Sequence, residues 1–159
     1  MRSPTAIPVH PAPWWFRLAQ RWFPNRCREI PEPTDPNRTL IRQFALWKRH
    51  VYLESFSSSE NQLWMHSHQW RWTIAIGLWG SYIERRLAGR WLKFRDAPYC
   101  YVMGHDVVHN VDQPTAGHTS LLIGLWRDDS MKYYFPTAAN ALDERRPWSA
   151  HIQRFVTRL

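Results

Sequence analysis

The stretch LWMHSHQWRWTIAIGLWGSYIE, residues 63–84, decides the fold prediction because it joins two histidines to a long run of β-branched and aromatic residues. Side chains alternate between the two faces of a strand, so His66 and His68 point to the same side. The continuation of that side is apolar, whereas the other side begins with polar residues. We therefore expect an inward face formed by His66, His68, Trp70, Trp72, Ile74, Ile76 and Leu78, opposite Ser67, Gln69, Arg71 and Thr73.

Several shorter strand-like pieces surround this stretch, and polar, Gly or Pro breaks such as DAP, DQPTAGH and RDD separate them. Many short strands punctuated in this way favour an antiparallel sandwich or barrel. The end of the chain, residues 138–159, is consistent with a short helix and a closing segment. The pieces are VYLESF (51–56), RWLKF (90–94), CYVM (100–103), DVVHNV (106–111), TSLLIGLW (119–126) and MKYYF (131–135).

The N-terminal part differs in composition, because eight of the twelve prolines fall before residue 40. Proline fixes φ and removes a backbone donor, so residues 1–12 and 24–38 are predicted to be extended or irregular. Between them PWWFRLAQRWF (13–23) predicts a short helix. Its apolar side should pack on the rest of the domain or on a second copy, which would make a homodimer; that side holds Trp14, Trp15, Leu18 and Trp22. We expect a proline-rich arm over 1–38 and a barrel domain over 39–159.

The segment TLIRQFALWKRH, residues 39–50, leaves two structures open. Thr39 could cap a helix that carries Ile41, Phe44 and Trp47 on one side. The strand pattern, by contrast, is clear only from Val51 onwards.

The charge and composition of the chain limit the kinds of partner that it can have. The net charge is +8, and residues 1–50 hold nine Lys/Arg against three Asp/Glu. This basic surface suits nucleic acid or anionic lipid, although a solvated face with no special partner is the simpler interpretation. The longest apolar run, WTIAIGLW (72–79), is too short for a transmembrane segment. The two cysteines, Cys27 and Cys100, form no CxxC pair, which favours a reduced, cytoplasmic setting. The prolines of MRSPTAIPVHPAP (1–13) interrupt the apolar core that a signal peptide needs, so we expect no targeting segment.

A third inward histidine completes a candidate metal site. In DVVHNV the side chain of His109 shares a strand face with Val107 and Val111, so it is predicted to point inward. His105 is in register with His109 but nearer a turn, and is a spare ligand or a neighbouring group. A lone inward histidine is usually a core residue bonded to a backbone carbonyl. When a third inward imidazole lies beside a buried pair, however, a divalent cation bound by all three is the favoured interpretation.

The motifs HSHQW, GSYIE and HDVVHNV resemble those of the cupin superfamily, in particular small single-domain cupin-like proteins of bacteria and phages. In these an H-x-H-P-W stretch leads into GGY-x-E, then a further His. The resemblance covers about residues 51–135 and leaves the N-terminal arm unexplained. It implies a double-stranded β-helix barrel whose metal lies inside, near one mouth.

The resemblance implies metal ligands at His66, His68 and His109, and Gly80 matches a glycine of the family motif. The family usually adds a Glu four or five residues after the H-x-H pair, where this chain has Trp72 and Thr73. The fourth ligand is therefore not assigned.

The other candidate site residues follow from their register. Glu84 lies in register with the inward face. It is a candidate hydrogen-bond acceptor behind a metal ligand or a candidate general base, although a plain charge at a strand end is the simpler interpretation. Tyr82 and Tyr101 are candidate donors to a bound oxygen, although plain packing within a strand is the more common role of a tyrosine. The predicted pocket wall consists of Trp70, Trp72, His105 and Arg127.

Three neutral imidazoles leave the charge of Fe, Zn, Mn or Ni uncompensated, with open positions for a small anionic ligand. The first hypothesis is accordingly a metal-dependent dioxygenase or isomerase acting on such a small molecule. The second is a non-catalytic binding module whose basic, Trp-rich arm docks a partner. Nucleic-acid binding through that arm ranks third.

Overall fold

The computed structural model describes residues 9–32, 35–47, 50–57, 68–86, 91–127, 133–134 and 145–146. Over these residues the chain forms one α-helix, α1 (Trp14–Trp22), a 3₁₀ turn at Pro24–Arg26 and eleven strands. The strands are β1 (Cys27–Glu32), β2 (Asp35–Trp47), β3 (Val51–Phe56), β4 (Trp70–Trp79), β5 (Ser81–Arg86), β6 (Trp91–Asp96), β7 (Tyr99–Gly104), β8 (His109–Asp112), β9 (Thr119–Arg127), β10 (Tyr133–Tyr134) and β11 (Arg145–Arg146).

The strands assemble into two main antiparallel sheets. The large sheet has the order β1-β2-β3-β9-β4-β7, and the small sheet has the order β6-β5-β8. From β4 onwards the chain passes to the small sheet for β5 and β6, back for β7, across for β8 and back for β9. This alternation, with β9 between β3 and β4, is the topology of a double-stranded β-helix. The prediction of an all-β fold of this kind, with a short N-terminal helix, is confirmed.

The two sheets face each other across a shared core. One buried cluster joins Phe56 and Ile41 of the large sheet to Tyr82 and Val111 of the small sheet. A second cluster lies on the inner face of the large sheet and comprises Tyr52, Trp70, Ala75, Met103 and Leu122. Burial of these side chains holds the sheets together, and the candidate site lies among them.

The predicted inward face of β4 is wrong beyond Trp70. The residues that point inward are Thr73, Ala75 and Gly77, whereas Trp72 and Leu78 are exposed. Large aromatic rings on the inner face of the sheet explain the inversion. A Cβ atom at Gly77 would overlap the ring of Tyr99, and one at Gly124 of β9 would overlap the indole of Trp70. Small residues point inward here because large rings already fill the space above them.

The N-terminal elements answer one question that the sequence left open and correct one expectation. Residues 39–47 belong to the long strand β2 rather than to a helix, and β1 pairs with β2 at the edge of the large sheet. The helix α1 forms where the sequence predicts it. It buries Phe16 and Ala19, however, and exposes Trp14, Leu18 and Trp22. Packing of that side on the rest of the domain is therefore wrong, and packing on a second copy stays a prediction. Within the described residues, no helix combines the length and hydropathy that a bilayer crossing requires.

Candidate metal centre

Two of the three predicted ligands meet in the interior. The Nε2 atom of His68 lies 3.0 Å from the Nε2 atom of His109, and the ring centroids are 5.2 Å apart. The ring of His109 is buried and that of His68 is partly buried. His66 lies outside the described residues, so its predicted place beside this pair stays a prediction.

Packing fixes the position of His68. The residue directly precedes β4, and the indole of Trp70, the first residue of that strand, stacks on its imidazole at 6.1 Å between centroids and 20° between planes. Trp70 is buried, and its indole lies over the backbone of Gly124 on β9. The absence of a side chain at Gly124 therefore makes room for the ring that supports His68.

His109 is positioned from the small sheet, where it opposes Arg86 of β5. Glu84, whose side chain has no exposed surface, lies on the Nδ1 side of the His109 ring. The Oε1 atom of Glu84 lies 3.4 Å from Nδ1 of His109 and accepts a hydrogen bond of 2.7 Å from Nε of Arg86. The imidazole is thus held between a carboxylate on one side and His68 on the other.

A second arginine neutralises the buried carboxylate. Both Nε and Nη2 of Arg95 donate to Oε2 of Glu84, at 2.8 and 2.7 Å. Burial alone would raise the pKa of Glu84, but the hydrogen bonds from His109, Arg86 and Arg95 outweigh it and lower the pKa well below the ordinary range. Glu84 is therefore an anion at neutral pH, and its lone pairs are committed to these partners.

The negative charge of Glu84 favours a proton on Nδ1 of His109, because an N–H facing a carboxylate is stabilised. In the neutral ring this leaves the lone pair on Nε2, the atom that faces His68. A histidine backed by a carboxylate in this way is the usual form of a metal-ligating histidine. In that form the Nε2 lone pair of His109 faces the Nε2 atom of His68.

The separation of the two Nε2 atoms matches that role. Two nitrogens that each lie about 2.0–2.1 Å from one cation, at right angles to each other, are about 3 Å apart. The same separation also suits a hydrogen bond between the two rings. Among the described residues no group of three or more His, Cys, Asp or Glu side chains is arranged to hold a metal ion, so the donor set there consists of these two histidines.

Tyr82 and Tyr101 lie in the interior with their hydroxyl oxygens 2.7 Å apart. The guanidinium carbon of Arg95 stands 3.7 Å from the centroid of the Tyr101 ring, so Arg95 contacts both the tyrosine pair and Glu84. Burial raises the pKa of both phenols far above neutrality, and the two hydroxyls raise that of Tyr82 further by facing each other. Both tyrosines are therefore protonated; one hydroxyl donates to the other, which leaves one O–H of the pair to donate elsewhere.

The rest of the predicted pocket wall is dispersed. Trp70 stacks on His68, whereas Trp72 lies on the outer face of β4. His105 is exposed in the turn after β7. Arg127, partly exposed, ends β9 opposite Trp70 in the backbone ladder.

Two interior groups escaped the sequence analysis. Arg95 follows the strand-like RWLKF, where an arginine normally faces solvent, and no local pattern distinguishes it. His118 ends the polar turn DQPTAGH, yet it is fully buried between the rings of Phe56 and Tyr82. Its Nε2 lies 3.3 Å from the hydroxyl of Tyr99, and burial lowers the pKa of His118 to about 4. It is therefore neutral at pH 7.

Comparison with known proteins adds a likeness of fold. No family model matches the sequence, and no curated protein matches it. Among solved structures the chain is similar to the crystal structure of an RmlC-like cupin protein from Ralstonia eutropha, at 12% sequence identity and a TM-score of 0.47. The match covers 84% of this chain and 82% of that chain. The interpretation of the candidate site therefore rests on the distances and contacts described above.

Proposed function

We propose that this chain is a cupin-like protein that binds one divalent metal ion through His66, His68 and His109. The observation that carries the proposal is the approach of the Nε2 atoms of His68 and His109 to 3.0 Å, with Glu84 behind the Nδ1 atom of His109. The double-stranded β-helix topology supports it, since it brings strands from both sheets around one interior.

The donor set decides the class of metal and ligand. Imidazole nitrogens suit Fe, Zn, Mn or Ni, and neutral histidines leave the charge of such an ion uncompensated. A small anionic molecule is therefore the expected ligand. When bound, the metal supplies Lewis acidity and, in the case of iron, redox chemistry.

The surrounding side chains have separate tasks in this proposal. Glu84 orients His109 and keeps its Nδ1 protonated; because Arg86 and Arg95 already occupy its oxygens, it is not a general base. Of the Tyr82–Tyr101 pair, the hydroxyl that accepts from the other keeps an O–H that can donate to an oxygen of the ligand. Trp70 restricts the orientation of His68 and excludes water from one side of it.

These assignments suit a metal-dependent dioxygenase or isomerase that acts on a small anion. The alternative is a binding module in which the metal, or a small ligand alone, serves no reaction. The strong internal pairing of Glu84 favours this alternative, because among the described residues it leaves no evident base beside the histidines.

Metal analysis of the purified chain after loading with each of the four metals tests the proposal. We expect a stoichiometric amount of metal on the native chain, and at least a tenfold weaker affinity for His68→Ala and His109→Ala. His105→Ala, which changes an exposed histidine of the same chain, is the matched control and should bind as the native protein does. A native chain that retains less than a tenth of an equivalent would overturn the metal proposal.

Catalysis is tested separately on the loaded chain. Oxygen consumption and product formation are measured with small carboxylates, enediols and thiols, for the native chain and for Tyr101→Phe. Turnover that depends on Tyr101 supports the enzyme. Stoichiometric metal without turnover of any of these compounds favours the binding module.

A further inference from the structure

The helix α1 presents an apolar stripe to solvent, formed by Trp14, Leu18 and Trp22. Their side chains are 71%, 51% and 66% exposed. Residues four apart lie one above the other on a helix, so the three form a continuous row, which we call the tryptophan stripe. Phe23, directly after the helix, is also exposed and extends the row. Large aromatic side chains exposed together in this way mark an interaction site.

The exposure of the tryptophan stripe is not the result of a loosely attached helix. The opposite side of α1 is anchored, since Phe16 has no exposed surface and Ala19 is buried. The indole N–H of Trp15 donates a hydrogen bond of 3.0 Å to Oγ1 of Thr119 on β9. The helix is thus docked on the domain with the stripe facing outward.

Arginines border the tryptophan stripe. Arg17 and Arg21 are exposed, and the 3.6-residue period of the helix places them along one flank of the row. Arg26 and Arg28, also exposed, follow the helix. No Asp or Glu occurs anywhere between Val9 and Arg28, so the positive charge of this surface is uncompensated by its own segment.

We propose that the tryptophan stripe and its arginines dock the protein on the surface of an anionic lipid bilayer. A row of Trp and Leu on one side of a helix, bordered by arginines, is suited to the boundary between headgroups and acyl chains. Tryptophan favours that boundary because its ring is apolar and its N–H is polar. The arginines meet the lipid phosphates and add electrostatic attraction.

A second copy of the chain and single-stranded nucleic acid fit the tryptophan stripe less well than a lipid bilayer does. A second copy related by a twofold axis would bring the arginines of one α1 against those of the other, with no acidic residue in the segment to pair with them. Single-stranded nucleic acid would use flat rings for stacking, whereas Leu18 at the centre of the row offers none.

Flotation of the full-length chain with vesicles tests the proposal. We expect the chain to float with vesicles of phosphatidylcholine and phosphatidylglycerol, but not with phosphatidylcholine alone, and to be released as the salt concentration rises. The variant Trp14→Ser/Trp22→Ser should lose at least tenfold in vesicle affinity, and Arg17→Gln/Arg21→Gln should lose the dependence on salt. Trp79→Ser, which removes a tryptophan that is 69% exposed on β4, is the matched control and should float as the native chain does.

Three results would overturn the proposal. The first is equal flotation of the native chain and Trp14→Ser/Trp22→Ser. The second is a native dimer, seen by light scattering, that this variant converts to a monomer without any vesicle binding in the native chain. The third is binding of oligonucleotides, but not of vesicles, that depends on Trp14 and Trp22.

Discussion

The Nδ1 atom of His109 lies 3.4 Å from the Oε1 atom of Glu84, a carboxylate without exposed surface. This relationship ties a histidine of β8 to the charge of the neighbouring strand β5. It gives the ring a preferred tautomer and a preferred orientation before any ligand arrives. In the proposed site the carboxylate acts through the histidine and touches no ligand itself.

Replacement of Glu84 by Gln should lower metal affinity by about 10–100-fold, as is typical when the carboxylate behind a metal-ligating histidine is removed. The amide keeps the shape and can still accept from Arg95, but it no longer favours a proton on Nδ1 of His109. Affinity is measured by competition with a chromophoric chelator. Asp112→Asn, which removes the carboxylate paired with Arg85 in the same sheet, is the control. Equal losses in both variants would mean that Glu84 acts on stability alone.

Replacement of Gly124 by Ala should destabilise the fold by about 1–3 kcal/mol, the usual cost of overpacking. The added Cβ would overlap the indole of Trp70. Urea unfolding of Gly124→Ala, Trp70→Leu and the double variant measures the coupling between the two positions. We expect the double variant to be less destabilised than the sum of the single variants. Additivity within about 0.5 kcal/mol would show that the indole does not occupy that space.

Replacement of Arg95 by Met should destabilise the protein by about 3–5 kcal/mol, because it removes both hydrogen bonds that Oε2 of the buried Glu84 accepts from Arg95. The variant also loses the contact of the guanidinium with the ring of Tyr101. Thermal and urea unfolding measure the effect. Lys93→Met, at an exposed position of the same strand, should change stability by less than about 0.5 kcal/mol. A similar small change for Arg95→Met would contradict the ion pair.

Stability should fall as the pH is lowered through the range in which His118 titrates. Burial lowers the pKa of His118 to about 4 from its ordinary value of 6.5, so the unfolded chain binds a proton that the folded chain refuses. The contribution of neutral His118 to the free energy of unfolding is fully present above pH 6.5. It is lost as the pH falls from 6.5 to about 4, and the loss amounts to at most about 3 kcal/mol.

The urea midpoint as a function of pH, for the native chain and His118→Gln, isolates this contribution. The variant should have a flatter profile over that range. His105→Gln, at an exposed position, should keep the native slope. Identical slopes for His118→Gln and the native chain would show that His118 does not titrate in this way.

The strands after residue 50 were predictable because their residues are β-branched or aromatic and their breaks are polar. The burial of His109 was also predictable, since valines flank it on the same strand face. The inward side of β4 was not. Both sides of that strand carry apolar residues beyond Trp70, and the choice between them depends on the ring of Tyr99 from β7, which fills the space above Gly77. Tyr99 is distant in sequence from Gly77, so the local pattern of β4 does not reveal it.

The candidate site was predictable to the same extent. Spacing and alternation brought His68 and His109 together, and the register placed Glu84 near them. The pairing of Glu84 with Arg95 depends on the antiparallel register of β5 and β6, which no local pattern fixes. His118 was missed because a histidine in a polar turn is ordinarily solvated, whereas here the turn folds back over the rings of Phe56 and Tyr82.

The insertion of β9 between β3 and β4 has a consequence for how the chain is made. Until residue 127 has left the ribosome, β3 and β4 each present an unpaired edge. The indole of Trp70 also lacks the backbone of Gly124, on which it packs in the folded chain. Sheet edges left open for that long invite pairing with other chains. Assembly must therefore wait for a late-synthesised strand, and yields of full-length protein should depend more on chaperones during translation than on the final stability of the barrel.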